Sequence, residues 1–245
     1  MIRMILPATF VFLQAAGVFA QANSTTVISS GTLIDGTGTS PVSNAIVIIE
    51  GDRIAKAGPA VSIGVPQGAR PIDAKGKFIL PGLIDTHVHL ESVGLSDIGE
   101  LPTEWSTPNK LQELVVINAR LNLIAGFTTV RDLGSTELVL QVRDDINSGE
   151  LLGPRIVAAG MQLVKKSAAA HSEPVFLQYD GVDGARAKVR YLADLGVNVI
   201  KIRLTHMRQT PSFEEVRAIV EEAHRLGLRT TVHTDVPADD RVKLA

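Results

Sequence analysis

No cysteine occurs anywhere in the 245-residue sequence. Disulfides and thiolate sites are therefore excluded, and any metal must be held by nitrogen and oxygen ligands. The same absence does not distinguish one cellular compartment from another. A surplus of either charge is also missing. The chain carries 24 Lys and Arg against 26 Asp and Glu, a formal net charge of -2. With no basic run either, a nucleic-acid partner is excluded. Long apolar runs are scarce too: the stretch from Met4 to Phe19 is short for a membrane span. What is present is 45% hydrophobic and 20% charged residues, a globular composition with enough apolar content for a large core.

Arg3, the apolar stretch behind it and the small-residue sites Val18-Phe19-Ala20 and Ala20-Gln21-Ala22 read as a secretory signal peptide over residues 1–22. A buried first helix or a membrane anchor is the alternative. Cleavage would leave a chain that works in a secreted or periplasmic setting with no membrane partner.

One stretch organises the rest: Phe78-Ile79-Leu80-Pro81-Gly82-Leu83-Ile84-Asp85-Thr86-His87-Val88-His89-Leu90. An apolar run crosses a Pro-Gly turn and becomes a short strand ending in His-x-His. Alternate side chains of a strand share a face, so His87 and His89 point the same way and Val88 the other. Two neutral imidazoles so placed can hold one divalent ion. A polar strand end whose histidines only hydrogen-bond is the plainer reading. Asp85, on the same face, offers a carboxylate to support a ligand histidine. With only six histidines in the chain, the pair stands above background.

Residues 23–80 read as a small β unit. Thr26-Val27-Ile28, Thr32-Leu33-Ile34 and Ala45 to Ile49 are strand-like, and Glu50-Gly51-Asp52 is a hairpin turn leading to Arg53-Ile54-Ala55. After His89 comes a long loop over Glu91 to Thr107, and then strand and helix alternate. Helices are expected over Asn109–Ala125, Ser135–Ser148 and Asp183–Leu195, and another beginning at a Ser212/Glu215 capping box. Strands are expected over Phe127–Asp132, Arg155–Ala159, Val197–Ile202 and Arg229–His233, with a polar loop carrying Lys165, Lys166 and His171 in between. Such alternation implies parallel strands with right-handed crossovers. About five strands are visible where a closed (β/α) barrel has eight. The fold class is α/β, either an open sheet or the first part of a TIM-type barrel over residues 81–245.

The chemistry-bearing residues fall at strand ends, which in such a barrel share one mouth. Lys201 sits among Val199, Ile200 and Ile202, and a lysine inside an apolar strand is seldom silent. It could snorkel or pair with an acid. Alternatively its amine is kept neutral, reacts with carbon dioxide and becomes an anionic oxygen ligand. His233 alone would be a satisfied polar residue; grouped with His87, His89 and Lys201 it reads as a fourth ligand.

Pro81 to Leu90, Gly126-Phe127-Thr128-Thr129-Val130-Arg131-Asp132, Gly153-Pro154-Arg155-Ile156, Val199-Ile200-Lys201-Ile202 and Glu221 to Gly227 with His233 together resemble the amidohydrolase superfamily. The similarity is greatest to its imidazolonepropionase-like and prolidase-like metal-dependent hydrolases and dipeptidases. The resemblance implies a (β/α)8 barrel with a small β-sandwich, to which residues 23–80 would give the N-terminal part. It implies one or two divalent ions, zinc first, held by His87 and His89, by N6-carboxylated Lys201 as a bridge, and by His233. A metal-bound hydroxide would then attack an amide, peptide or cyclic amide C–N bond of a small-molecule or dipeptide-like substrate. A homo-oligomer is compatible with it. The family takes a further metal histidine from the sixth strand and a catalytic aspartate from the eighth, and both fall beyond Ala245. The implied whole is C-terminally truncated here, so this chain alone is expected to be inactive. In the loop after the third strand, Ala168-Ala169-Ala170-His171-Ser172 departs from the family's glycine-flanked histidine. His171 and His206 are candidate substrate contacts, and His224 is expected on the surface. A metal-binding pseudo-enzyme, or an inactive fragment without the late-strand His and Asp, is the alternative reading.

Overall fold

The computed structural model describes residues 25–92, 107–166, 174–204 and 210–234. They belong to two compact units that part between Pro81 and Gly82. The expected leader over 1–22, most of the loop after His89, His171 and His206 lie outside the described residues. No helix among the described residues is long and apolar enough to cross a membrane.

The first unit is built on β1 (Thr25–Leu33), β2 (Val42–Glu50), β3 (Arg53–Pro59), β4 (Arg70–Asp73) and β5 (Phe78–Ile79). β1 to β3 form an antiparallel meander, while β4 and β5 add to β1 in parallel, one after the other along its length. The two strand-like runs flanking Gly31 merge into β1, which bulges there. Ser30 takes a positive φ of 69° at the bulge. Period-two alternation gives the sheet two apolar faces. Val27, Ile46 and Ile48 are buried on one; Leu33, Ala45 and Val47 are buried on the other. Among the described residues the unit is one sheet. The second layer of the expected sandwich is not among them.

The second unit alternates strand and helix except at β8 to β10: β6 (Leu83–Val88), α1 (Pro108–Ile124), β7 (Phe127–Asp132), α2 (Leu138–Ser148), β8 (Arg155–Ala158), β9 (Gln162–Lys165), β10 (Phe176–Tyr179), α3 (Gly181–Asp194), β11 (Val199–Leu204), α4 (Phe213–Arg225) and β12 (Arg229–Thr234). Every pairing is parallel, in the orders β6-β7-β8 and β10-β9-β11-β12. The two sheets meet where the chain turns from β8 to β9 through Gly160, whose φ is +60°. There the Asn198 backbone N–H donates to the Ala158 carbonyl at 2.8 Å, and the Asn198 side chain accepts the Ala158 N–H at 2.9 Å. The helices bury one shared core containing Val115, Val130, Val142, Ile156, Val189, Ile200, Ile202 and Ile219. This is an α/β fold of parallel βα units.

Two expectations need correcting. The segment read as a polar loop after β8 contains β9 and β10. Lys165 is on β9, drawn there by Glu215, both of whose carboxylate oxygens accept from its ammonium at 2.7 and 2.8 Å. α2 begins at Leu138 and not at Ser135: the Ser135 N–H is held by the Gly160 carbonyl and its hydroxyl by Asp132, while Thr136 is held by Glu91, which fixes both residues ahead of the helix. The capping box is present: the Glu215 N–H donates to Ser212 Oγ at 3.2 Å, and the Ser212 N–H donates to Glu215 Oε2 at 2.7 Å.

Close approach fixes one residue of the Pro-Gly turn. A Cβ on Gly82 would lie 2.0 Å from Thr128 Oγ1 and 2.6 Å from Thr128 Cβ, so β6 can reach β7 only without a side chain there. Gly82→Ala is expected to lower the unfolding free energy by about 1–3 kcal/mol. Gly64→Ala, which meets nothing within 4 Å, should change it by less than about 0.5 kcal/mol. Equal effects in urea titrations would refute the steric account.

Glu222 ties α3 to α4. It accepts from Arg225 at 2.6 Å and Arg190 at 3.1 Å, and lies 3.7 Å from Arg186. Chiefly the Arg225 hydrogen bond, helped by Arg190 and opposed by burial, holds its carboxyl down from 4.5 to about 2. A depressed folded-state pKa stabilises above the unfolded value and loses that stabilisation as pH falls. Melting temperature should therefore drop between about pH 4.5 and 2. Glu222→Gln should show a shallower drop across that window, and an unchanged slope would argue against the network.

Candidate active site

The helix-covered core decides which way each candidate side chain points. Val88 and Leu90 pack into it, so His87 and His89, one step out of phase, face the opposite side of the sheet. Val130 is in the core and Arg131 is not. Ile200, Ile202 and Leu204 are in the core, so Lys201 and Arg203 face away. Val232 packs against it, leaving Thr231 and His233 opposite. A small apolar floor of Val157, Leu133, Ala159 and Val199 lies on the far side. His87, His89, Arg131, Lys201, Arg203 and His233 thus share one face, contributed by four parallel strands.

The His87 and His89 rings are 5.2 Å apart at their centroids and meet edge to face. His89 Nδ1 lies 3.0 Å from the Gly134 carbonyl oxygen. A carbonyl can only accept, so Nδ1 carries a proton, and the neutral ring is the tautomer with its lone pair on Nε2. Asp85 plays a different part from the one expected: its Oδ1 accepts the His87 backbone N–H at 3.0 Å, so it orients the histidine through the main chain. Burial lowers the His87 pKa, and Lys201, His89, Arg131 and His233 lower it further by repulsion. His87 is therefore neutral at pH 7, and the other four groups lie within its electrostatic reach.

Lys201 is 1% exposed, among the most buried side chains of the described residues. Its Nζ reaches the Val232 carbonyl at 3.4 Å. Burial first, then Arg131 and Arg203, bring its pKa from 10.5 down to about 8. Arg131 Nε donates to the Thr86 carbonyl at 2.8 Å, holding its guanidinium beside the histidine strand. Arg203 lies over the Phe176 ring at 5.2 Å.

Behind the histidines lie two carboxylates that sequence reasoning missed. Asp132 and Glu91 are fully buried. Asp132 accepts from the Leu90 N–H at 2.7 Å, the Ser135 hydroxyl at 2.8 Å and the Gly134 N–H at 3.2 Å. Burial nonetheless pushes its carboxyl up. Glu91 accepts from the Thr136 hydroxyl at 2.5 Å and the Thr136 N–H at 2.9 Å. Burial pushes it up to about 7 against those two bonds, with Asp132 adding to the rise. The available signal was positional: Asp132 ends β7, Glu91 stands two residues after His89, and Leu133-Gly134-Ser135-Thr136 directly follows Asp132.

Of the sequence-predicted residues, the fold brings His87, His89, Lys201 and His233 onto one face. His224 is exposed on α4, as expected. Among the described residues, no three or more His, Asp or Glu side chains converge as a set able to hold an ion. The His87–His89 pair does fit one. Nitrogens about 2.0–2.1 Å from a tetrahedral ion would carry ring centroids about 5 Å apart, close to the spacing seen.

A parallel α/β layer with this histidine strand at its edge defines a class. The amidohydrolase family pattern matches residues 78–242, more than half of the chain, and the chain belongs to that family. Among curated proteins it is 25% identical over 230 residues to a 5-methylthioadenosine/S-adenosylhomocysteine deaminase of Symbiobacterium thermophilum, covering 87% of this chain and 50% of that protein. It is 29% identical over 189 residues to a dihydroorotase of Anaeromyxobacter sp. strain K, covering 77% of this chain and 37% of that one. Among solved structures it resembles a Xaa-Pro dipeptidase with methionine bound in its active site, at a TM-score of 0.74 and 31% identity, over 86% of this chain and 57% of that chain. The chain thus spans about half the length, or less, of these curated relatives.

The Glu91 pairing yields a test. Thr136→Val keeps the N–H and removes the hydroxyl, leaving a buried carboxyl short of one donor. Unfolding free energy at pH 7 should fall by about 1–3 kcal/mol. A change below about 0.5 kcal/mol would mean that the hydroxyl contributes nothing to holding Glu91.

Proposed function

We propose that the chain supplies the first half of a metal-dependent hydrolase site that cleaves C–N bonds of small-molecule or dipeptide-like substrates. The observation that carries this reading is the shared face on which His87, His89 and His233 stand with a lysine buried to 1% exposure. Its reaction class is supported by relatives that are a deaminase, a dihydroorotase and a Xaa-Pro dipeptidase.

His87 and His89 would hold one divalent ion, zinc first, through neutral imidazoles. His233 would hold a second, with Lys201 between them. Bound there, the metal would polarise the scissile carbonyl and supply activated water. Lys201 must first change charge. With a pKa of about 8, part of it is neutral amine near neutral pH. That amine adds to carbon dioxide: an N–C bond forms, one proton leaves nitrogen, and a carbamate anion results. Arg131 and Arg203, which disfavour the ammonium, would favour that anion. The Gly134 carbonyl keeps the His89 proton on Nδ1, away from the ligand nitrogen. His171 and His206 are proposed substrate contacts. We further assign residues 1–22 to a cleaved signal, residues 23–80 to the N-terminal part of a composite β-sandwich and residues 81–245 to the barrel, with a secreted or periplasmic protein as the product.

Metal analysis of the dialysed full-length protein tests the reading. One or two divalent ions per chain are expected, with His87→Ala losing at least one. Lys201→Ala should lose metal and activity together, and a short carboxylic acid should restore part of both. Lys201→Arg should not bind, because its guanidinium stays protonated. Zero metal in the wild type, or full metal content in Lys201→Arg, would overturn the ligand assignment.

A further inference from the structure

The ring hydrogen bond of His89 spans two backbone segments, and a single buried group grips both. His89 donates from Nδ1 to the Gly134 carbonyl at 3.0 Å. On the histidine side, the next residue's N–H, that of Leu90, is taken by Asp132 Oδ2 at 2.7 Å. On the acceptor side, the N–H of Gly134 itself is taken by Asp132 Oδ1 at 3.2 Å. The Ser135 hydroxyl adds a third donor, to Oδ2 at 2.8 Å. Gly134 has no slack in another direction: a Cβ on it would lie 2.2 Å from Gln162 Nε2. The Ser135 N–H is held by the Gly160 carbonyl at 3.2 Å. The Leu133 N–H also donates to the Val88 carbonyl at 3.0 Å, but the two amides flanking the ring bond, those of Leu90 and Gly134, are held by the two oxygens of one carboxylate.

We infer that Asp132 is a positioning residue for His89: by clamping Leu90 and Gly134 together it locks the imidazole in the Nδ1–H tautomer and leaves Nε2 bare. The consequence for metal binding rests on the ligand reading of His89; the tautomer does not. An aspartate suits the task because both of its oxygens accept. Asparagine offers one oxygen and an NH2, and the NH2 faces a backbone N–H. One of the two clamped amides then loses its partner, and the acceptor carbonyl is released.

The experiment is nitrogen NMR of the histidine side chains in the metal-free full-length protein, with His89→Gln used to assign the signals. Zinc titration against a chromophoric chelator runs alongside. Wild type should show His89 as a single Nδ1–H tautomer. Folded Asp132→Asn should show a mixture of tautomers and bind zinc about 10–100-fold more weakly, the usual loss when the support of a ligand histidine is removed. A purely structural role would lower the melting temperature and leave the tautomer alone. A folded Asp132→Asn with an unchanged Nδ1–H tautomer overturns the inference, whatever its metal affinity. If Asp132→Asn does not fold, Ser135→Ala decides, since it loosens the carboxylate but keeps its charge. A tautomer mixture there supports the clamp, and the wild-type tautomer refutes it. If wild type binds no zinc, the ligand reading fails, while the tautomer arm still decides the role of Asp132.

Discussion

Packing of alternate strand residues against one helical layer is the constraint from which the site follows. Val88, Leu90, Val130, Ile200, Ile202 and Val232 are drawn to the helices by the removal of apolar area from water. The period of a strand then leaves the residues between them no choice of side. His87, His89, Arg131, Lys201 and His233 share a face because their neighbours share the other. A polar site of this kind needs no local code for its assembly. It needs apolar neighbours at the right parity and parallel strands in register, and the β11–β12 pairing supplies the latter by setting Lys201 beside Thr231 and Arg203 beside His233.

The electrostatics of that face are lopsided. Its cations are Lys201, Arg131 and Arg203. Its one acid from the histidine strand, Asp85, is turned to the His87 backbone. Burial and two guanidiniums make the Lys201 ammonium costly, which is why its pKa sits near 8. The acids of the second unit's core stand behind the histidines instead. There Asp132 and Glu91 are held by hydrogen-bond donors. Repulsion from Lys201, Arg131 and His233 thus bears on His87, while Asp132 lies behind the His89 segment, bonded to the Leu90 N–H.

Much of this was legible in residue order. The β1–β3 meander, the Gly51 hairpin, the capping box at Ser212 and the alternation after His89 all carry short-range signals. Turn chemistry, N-cap chemistry and hydrophobic period act over a few residues and are rarely overridden when they agree. The β9 and β10 strands were not legible. Gln162-Leu163-Val164-Lys165 is short and ends in a charge that reads as loop, until Glu215, 50 residues later, receives its ammonium. The start of α2 was misplaced for the same kind of reason. Ser135 and Thr136 are good helix-start residues, but Asp132 and Glu91 claim their donors first.

The sequence by itself determined the βα alternation, the parity that puts His87 with His89, and the presence of a lysine in an apolar strand, because each depends only on neighbours along the chain. Tertiary structure alone decided that His87, Lys201 and His233 come within reach of one another, since that needs parallel pairing across more than a hundred residues. It also decided which nitrogen of His89 is free. That choice belongs to the Gly134 carbonyl, 45 residues away, and to a buried carboxylate that no local pattern marks as part of the site.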